Sequence, residues 1–576
     1  MVSGASERVL GPRGSRSPVS AYDPAGPLDA AARQVLAAIP AWWSQRAAAH
    51  GLTGSWLDVT AAIDTSPPID LPDTADDGGL DLSALDPYGI GAAYVTALSR
   101  DVRARHGRHY TPIQLAEHLW VMARAELDHV RKVPKRLDGL VRDPSCGGGA
   151  LLLPPLREHL TASADTDPAV VLARLPNLIE GVDLDPHAVW VANVVMAAEM
   201  LPTLAKVPAK RRHPLPALCH VGDGLQAGDR NAAAVLMNPP YGRVKLSDDE
   251  RERFAHALYG HANLYGLFMA AGLDDLGEGG VLAALVPTSW TSGLYFRNLR
   301  DTLGAVAPLQ DVTFVVERGG VFDDVLQETC LAVFSARRSQ STTIASMNGH
   351  VAKVGKVARP HGSGPWLLPR RSDDAPIAVA AAAMPNTLAS SGWGVSTGPL
   401  VWNRRSNDLY PRTGKERLPV IWAADIDGGR LHQDPARDSM RYLRLRAGDL
   451  NTLVLDECAL LVQRTTAPEQ ARRIVAAPLS AATLATWGGQ VVVENHVNVL
   501  RPTALAPLLS QDLLTRLFAS PTIDRVARCL SGSVALSAFE LEALPLPDAA
   551  TLARWEKLTD VALEKAIITA YRPQAS

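Results

Sequence analysis

Leu140-Val141-Arg142-Asp143-Pro144-Ser145-Cys146-Gly147-Gly148-Gly149-Ala150 reads as a short apolar strand that ends on an acid and turns through glycines into a helix. Glycines at such a turn let the backbone come close to a ligand and aim helix N-terminal N–H groups at a carboxylate or phosphate. Taken alone, a glycine-rich turn of this kind does not specify a ligand. The pattern repeats downstream. Apolar runs at 177–183 (NLIEGVD), 217–223 (ALCHVGD), 233–238 (AAVLMN), 281–287 (VLAALVP) and 311–317 (DVTFVVE) each end in acidic, Asn or Pro residues, and helical spacing mostly follows. Strand then helix, repeated, predicts an α/β fold with a mostly parallel sheet covered on both faces, a class that binds ligands beyond the carboxyl ends of its strands. The informative residues are therefore expected just after each run.

Three acids fall there. Asp143 ends the first strand, Asp183 the second (Gly181-Val182-Asp183-Leu184-Asp185-Pro186), and Asp223 follows the third, before Gly224. A carboxylate at the end of the second strand can accept both ribose hydroxyls of a nucleoside, and Asp223 can accept a hydrogen bond from an adenine amino group. A helix N-cap is the alternative role, and it suits Asp185 better than Asp183. No G-x-x-x-x-G-K-[ST] and no spaced G-x-G-x-x-G follows the first strand, so ATP and NAD fit this adenosine-shaped constellation less well than S-adenosylmethionine.

The fourth run ends in Met237-Asn238-Pro239-Pro240-Tyr241-Gly242. An exocyclic amine conjugated to a purine ring is a poor nucleophile because its lone pair is delocalised. The Asn238 side-chain oxygen and the Pro239 carbonyl can accept its two hydrogens and favour a pyramidal nitrogen aimed at a methyl donor. Consecutive prolines hold that carbonyl rigidly, and the Tyr241 ring can stack on a base. A plain Asn-Pro turn is the alternative, but a plain turn gives no reason for its place at the end of the fourth strand.

These motifs resemble the amino-methyltransferases of DNA, in particular the gamma class of adenine-N6 enzymes, in which the cofactor motifs precede the target-recognition region. Tyr110-Thr111-Pro112 is similar to the family's upstream cofactor motif, residues 143–149 to its glycine motif and residues 238–241 to its catalytic motif. The wording at 263–268 (NLYGLF) and 277–290 (GEGGVLAALVPTSW) is similar to TaqI-like enzymes, over roughly residues 105–335. The resemblance implies a Rossmann-like class I methyltransferase domain using S-adenosylmethionine. It places Tyr110, Thr111, Pro112, Asp143, Ser145, Cys146, Gly147, Gly149, Asp183, Leu184, Asp223, Gly224, Asn238 and Phe268 around that cofactor. Thr111 and Asp143 would hold its methionine end, Asp183 its ribose, and Asp223 and Phe268 its adenine. Asn238, Pro239, Pro240 and Tyr241 become catalytic, and Phe322 would pack against a flipped base opposite Tyr241. The run Gly147 to Gly149 has more glycines than the family's usual motif.

Further on, residues 392–398 (GWGVSTG), 494–498 (ENHVN) and 532–537 (GSVALS) resemble SalI- or PstI-type modification methylases, in which this region reads double-stranded DNA. Arg404, Arg405, Arg412, Lys415, Arg464, Arg472 and Arg473 are the residues expected to contact phosphates or guanines. The same chemistry at the amine leaves cytosine N4 open. RNA or protein amide nitrogen, or a non-catalytic DNA-binding defence module, are the other readings. No nuclease constellation is evident, so the nuclease of a restriction system would be a separate chain.

At 576 residues, two or three domains are expected. The reading gives a helical N-terminal extension (1–100), a methyltransferase domain (101–340), a Gly-, Ser-, Pro- and Arg-rich linker (341–385) and an α+β target-recognition domain (386–576). Helices are expected at 28–50, 90–105, 512–517 and 552–570, and strands at 453–463 and 490–500. A net charge of −3 gives no global support for nucleic-acid binding, so any basic surplus must be local, and residues 402–446 hold ten Arg or Lys against six Asp or Glu. The five cysteines are scattered with no C-x-x-C pair, which argues for buried thiols and no metal site. No apolar run reaches the roughly 18 residues of a membrane span and no signal peptide is evident, so a cytoplasmic location is expected.

Overall fold

The computed structural model describes residues 28–68, 79–100, 102–103, 110–131, 136–226, 228, 230–316, 328–433, 439–466, 470–531 and 535–572. The chain divides into two compact units, Met1–Leu285 and Val286–Ser576.

In the first unit the expected strands form β1 (Val141–Asp143), β2 (Ile179–Asp183), β3 (Cys219–Val221), β4 (Ala232–Met237) and the start of β7 (Leu276–Pro287). They lie in the order β3-β2-β1-β4-β7, and every neighbouring pair is parallel. The α/β class with a mostly parallel sheet, expected from the repeated runs, is therefore what the chain forms. All six residues of β4 are buried, as a parallel strand covered on both faces requires. The register Arg142↔Val235 sets the glycine turn after β1 beside the Asn-Pro-Pro-Tyr turn after β4. A short pair, β5 (Arg243–Val244) and β6 (Ala262–Asn263), brackets the excursion between the Asn-Pro-Pro-Tyr turn and the next helix.

Six helices matter to the site: α1 (Ala30–Ala49), α2 (Pro87–Ala97), α3 (Ile113–Arg131), α4 (Leu153–Ala162), α5 (Pro186–Lys206) and α6 (Leu264–Asp274). α5 starts where Asp185 caps it through the His187 N–H at 2.9 Å and Pro186 opens the first turn. Among the described residues it alone is long and apolar enough to cross a membrane, but it is buried against α1, α2, α4, β2 and β3. Its Asn193 ties it to the sheet, donating to the Cys219 carbonyl at 2.8 Å and accepting from the Leu218 and Cys219 amides at 2.8 and 2.9 Å.

In the N-terminal extension α1 and α2 pack on α5, and the buried Tyr94 hydroxyl of α2 donates to Asp185 at 2.7 Å. The second helix ends at Ala97; residues 100, 102 and 103 are helical again, and 101, 104 and 105 of the expected 90–105 stretch lie outside the described residues.

In the second unit β8 (Leu309–Val315) pairs antiparallel with β9 (Thr329–Ser335) and parallel with β10 (Ser341–Asn348), and β10 pairs antiparallel with β11 (His350–Ala358). Residues 341–358, read as linker from their Ser and Gly content, are thus sheet. Alternate burial at Thr342 and Ile344 gives one face of β10 a core to cover despite the small polar residues between them. Beyond them come antiparallel strands Trp393–Thr397, Val497–Pro502, Ala459–Gln463 and Ala476–Leu479, in that order, with helices Gln511–Ala519, Pro521–Leu530, Ala549–Trp555 and Asp560–Ala570. The expected 552–570 helix is two, broken after Trp555.

Candidate active site

After β1, Asp143 is buried, and its Oδ1 accepts the Ser145 N–H at 2.9 Å. Burial pushes its carboxyl up to about 7, with the nearby Asp183 adding to the rise and the Ser145 N–H and Arg142 opposing it. The chain then bends through Gly147 and Gly149, both with positive φ (49° and 85°), and a Cβ at Gly147 would meet nothing within 4 Å, so this face of the loop is open. Gly147 donates its N–H to Asp183 Oδ2 at 3.0 Å, and Asp183 Oδ1 accepts from the Asp185 N–H at 2.9 Å. The glycine turn and the acid of β2 are therefore joined directly.

The third acid closes the same rim. A Cβ at Gly224 would lie 1.8 Å from the Pro144 carbonyl oxygen, so the loop carrying Asp223 passes against the loop carrying Asp143 in a gap only glycine fits. Asp223 Oδ1 accepts from the Leu225 N–H at 2.9 Å, and burial raises its carboxyl above the usual range, with Arg253 opposing and Glu250 adding. Phe268 is buried on α6, Leu184 is half-buried after β2, and Cys146 is a buried thiol pushed up first by its hydrogen bond to Cys219 and then by burial. Among the described residues no group of three or more His, Cys, Asp or Glu is placed to hold a metal.

At the end of β4, Asn238 is held on both ends of its amide. Its Nδ2 donates to the Thr111 hydroxyl at 3.0 Å, and its Oδ1 accepts from the Tyr241 hydroxyl at 3.0 Å. Tyr241 also reaches the Leu285 carbonyl at 3.4 Å, and its ring meets Tyr265 edge-on with centroids 6.0 Å apart. Thr111 is buried, one residue before Pro112, whose carbonyl accepts the first amides of α3. Two segments 127 residues apart in sequence, Tyr110-Thr111-Pro112 and Asn238-Pro239-Pro240-Tyr241, thus form one site. Phe322 lies outside the described residues.

Sequence reasoning missed Tyr88 and Tyr94 of α2 and Tyr265 of α6. Tyr265 stood in the quoted NLYGLF wording, so a signal existed. Tyr88 and Tyr94 carry no motif and show their role only through contacts.

The basic residues differ in their surroundings. Arg404, Arg412 and Lys415 are exposed. Arg405, Arg472 and Arg473 are engaged within the protein. Arg405 bonds Asp408 at 2.7 Å and Asp449 at 2.8 Å. Arg472 donates to the carbonyls of Phe518 and Ala519 at 2.7 Å, covering the end of a helix. Arg473 is buried, donating to Thr466 and to Ser531 Oγ. Such guanidiniums already satisfy buried acceptors, and pulling them out would leave those unpaired. Arg464 is half-buried and reaches the Asn495 carbonyl at 3.3 Å, bracing the 494–498 segment. The 411–416 loop carrying Arg412 and Lys415 is exposed, with Arg417 stacked 3.5 Å from the Tyr410 ring centroid behind it.

Residues 220–322 match the Eco57I restriction-modification methylase family. That stretch begins before Asp223, contains the Asn-Pro-Pro-Tyr turn, and agrees with the resemblance drawn from the motifs. Among curated relatives, the type II methyltransferase M.PstI of Providencia stuartii is 25% identical over 353 residues, 57% of this chain and 66% of its own length. The type II methyltransferase M.BsuBI of Bacillus subtilis is 22% identical over 326 residues, 54% of this chain and 64% of its own length. The matches thus span just under two thirds of either relative. A solved type IIL restriction-modification enzyme, MmeI in complex with DNA, is 16% identical with a TM-score of 0.49, over 88% of this chain and 81% of that one.

Proposed function

We propose that this chain is a site-specific DNA methyltransferase that moves a methyl group from S-adenosylmethionine to adenine N6 in double-stranded DNA, as the modification enzyme of a restriction-modification or related defence system in the cytoplasm. The observation that carries the reading is the Asn238 amide, fixed between Thr111 and Tyr241 at the carboxyl end of β4, beside the acid-rimmed glycine turn of β1. The likeness to the Eco57I restriction-modification methylase family supports it.

The donor set suits S-adenosylmethionine. Gly147 faces open space, Asp183 closes onto that loop, and Asp143 provides a buried carboxyl for an ammonium group. When bound, the cofactor supplies an electrophilic methyl group on a sulfonium. The protein's part is to make the amine a nucleophile and exclude water. Asn238 Oδ1, which accepts from Tyr241, is the proposed acceptor for one N6 hydrogen, and the Pro239 carbonyl for the other. Both bonds strengthen as the nitrogen pyramidalises, so they favour the transition state over the bound base. Because N6 is paired inside a duplex, the base must leave the stack, at a cost of a few kcal/mol offset by packing on Tyr241.

Labelled S-adenosylmethionine offered with DNA, RNA and protein in parallel tests the substrate class. Label in DNA alone is expected, and label only in RNA or protein refutes the reading. Single-molecule sequencing of the product distinguishes adenine N6 from cytosine N4 and gives the recognition sequence.

A further inference from the structure

The Tyr88 hydroxyl of α2 donates to the Thr111 carbonyl, and the Tyr110 hydroxyl returns to the Tyr88 carbonyl at 2.9 Å. The two rings meet edge-on with centroids 4.9 Å apart. These bonds clasp the residue on either side of the Tyr110–Thr111 peptide. The Thr111 hydroxyl, in turn, is the group that accepts from Asn238 Nδ2 at 3.0 Å. The backbone beneath the clasp leaves no slack. A Cβ on Gly91 would lie 2.7 Å from the Tyr110 hydroxyl and 2.8 Å from the Gly148 carbonyl, and a Cβ on Gly148 would lie 3.1 Å from Gly91. α2 therefore rests by bare backbone on the glycine turn while its tyrosine grips the threonine. Both phenols are held well above their usual range, first by burial, and so remain donors at any working pH.

We propose that Tyr88 is a positioning residue for methyl transfer, fixing the Thr111 backbone so that its hydroxyl orients the Asn238 amide toward the target amine. The inference rests on the methyltransferase reading and gives α2 a part in it. Without the Tyr88 hydroxyl, Thr111 keeps its side chain but loses its anchor, and the Asn238 amide samples orientations in which Oδ1 does not face the amine. Misplacement at a reacting group acts on turnover more than on binding.

Tyr88→Phe removes only the hydroxyl. In methylation of duplex DNA its kcat is expected to fall by about two- to tenfold, the range of one net hydrogen bond. Its KM for DNA should remain within about twofold, and kcat is to be normalised to sites titrated with S-adenosylmethionine, so that loss of folded protein does not count. Thr111→Val removes the hydroxyl acceptor itself, and the double variant Tyr88→Phe/Thr111→Val should be no slower than Thr111→Val alone, because one path carries both effects. Tyr110→Phe cuts the return bond and is expected to lower kcat in the same sense, which keeps the test available if Tyr88→Phe folds poorly. Unchanged kcat in a folded Tyr88→Phe, or fully additive losses in the double variant, overturns the proposal while leaving the methyltransferase reading intact. A wild-type protein that transfers no methyl group to DNA overturns both.

Discussion

Asp143 gives the sharpest test of the proposed cofactor site, because its chemistry changes within an accessible pH window. Its carboxyl is raised from 3.8 to about 7, mainly by burial. Each tenfold change in proton affinity corresponds to about 1.4 kcal/mol, so ionising this group in the folded protein costs roughly 4 kcal/mol more than in the unfolded chain. The sign follows from the raised value: the fold is unburdened below about pH 4 and loses stability as pH rises through 7. Asp143→Asn cannot ionise and retains an oxygen for the Ser145 N–H. Relative to wild type it should therefore gain stability from pH 4 to 8, approaching a few kcal/mol, measured by urea unfolding at several pH values. A cofactor ammonium group reverses the balance, because it requires the ionised form. Wild-type affinity for S-adenosylmethionine should then rise by up to about twentyfold between pH 5.5 and 7.5, following the ionised fraction. Asp143→Asn should bind roughly ten- to a hundredfold more weakly at pH 7.5, with little pH dependence left, the worth of a charge-assisted hydrogen bond. Calorimetry that shows a flat wild-type profile, together with no stabilisation of Asp143→Asn at pH 8, would refute the assignment of Asp143 as the buried acceptor.

Asn238→Ala is expected to abolish methyl transfer with little change in cofactor affinity, measured by calorimetry beside an activity assay, and near-normal activity would remove its catalytic role. Asp183→Ala should weaken cofactor binding roughly ten- to a hundredfold. It also strands the Gly147 and Asp185 amides, so its melting temperature should be recorded alongside. Gly224→Ala forces a methyl group onto the Pro144 carbonyl and should lower both stability and cofactor affinity, whereas a folded variant that binds normally would show that the two loops separate easily. 2-Aminopurine at the target position should brighten on binding, and Tyr241→Ala with Phe322→Ala should reduce that signal more than it reduces DNA affinity. A bright signal surviving the double substitution would mean that other residues hold the base.

The strands and the site legible in the sequence share one property: their information is local. Asp143, Asp183, Asp223 and Asn238 each stand directly after an apolar run, and a parallel sheet brings the ends of its strands together whatever the helices between them. What sequence could not reveal depends on distant partners. Tyr88 and Tyr94 look like ordinary helix aromatics until α2 meets Thr111 and Asp185. The internal partners of Arg405, Arg472 and Arg473 are invisible in the sequence because Asp449 and residues 518–531 come from elsewhere in the chain. Composition misled at 341–358, where Ser, Thr and Gly suggested a linker and the alternating burial of a strand prevailed.

The place of β1 at the centre of the first unit's sheet has a consequence for how the protein is made. Its partner on one side, β4, follows it by about 90 residues. At a synthesis rate of roughly 5–20 residues per second, the β4 side of β1 waits about 5–18 s for its partner after β1 itself has been made. The β2 side is served sooner, so the acids and the glycine turn can assemble while the other edge still presents unpaired backbone and apolar side chains. An open edge of that kind is where a nascent chain pairs wrongly or recruits a chaperone. Asn238 joins the glycine turn only when β4 closes that edge.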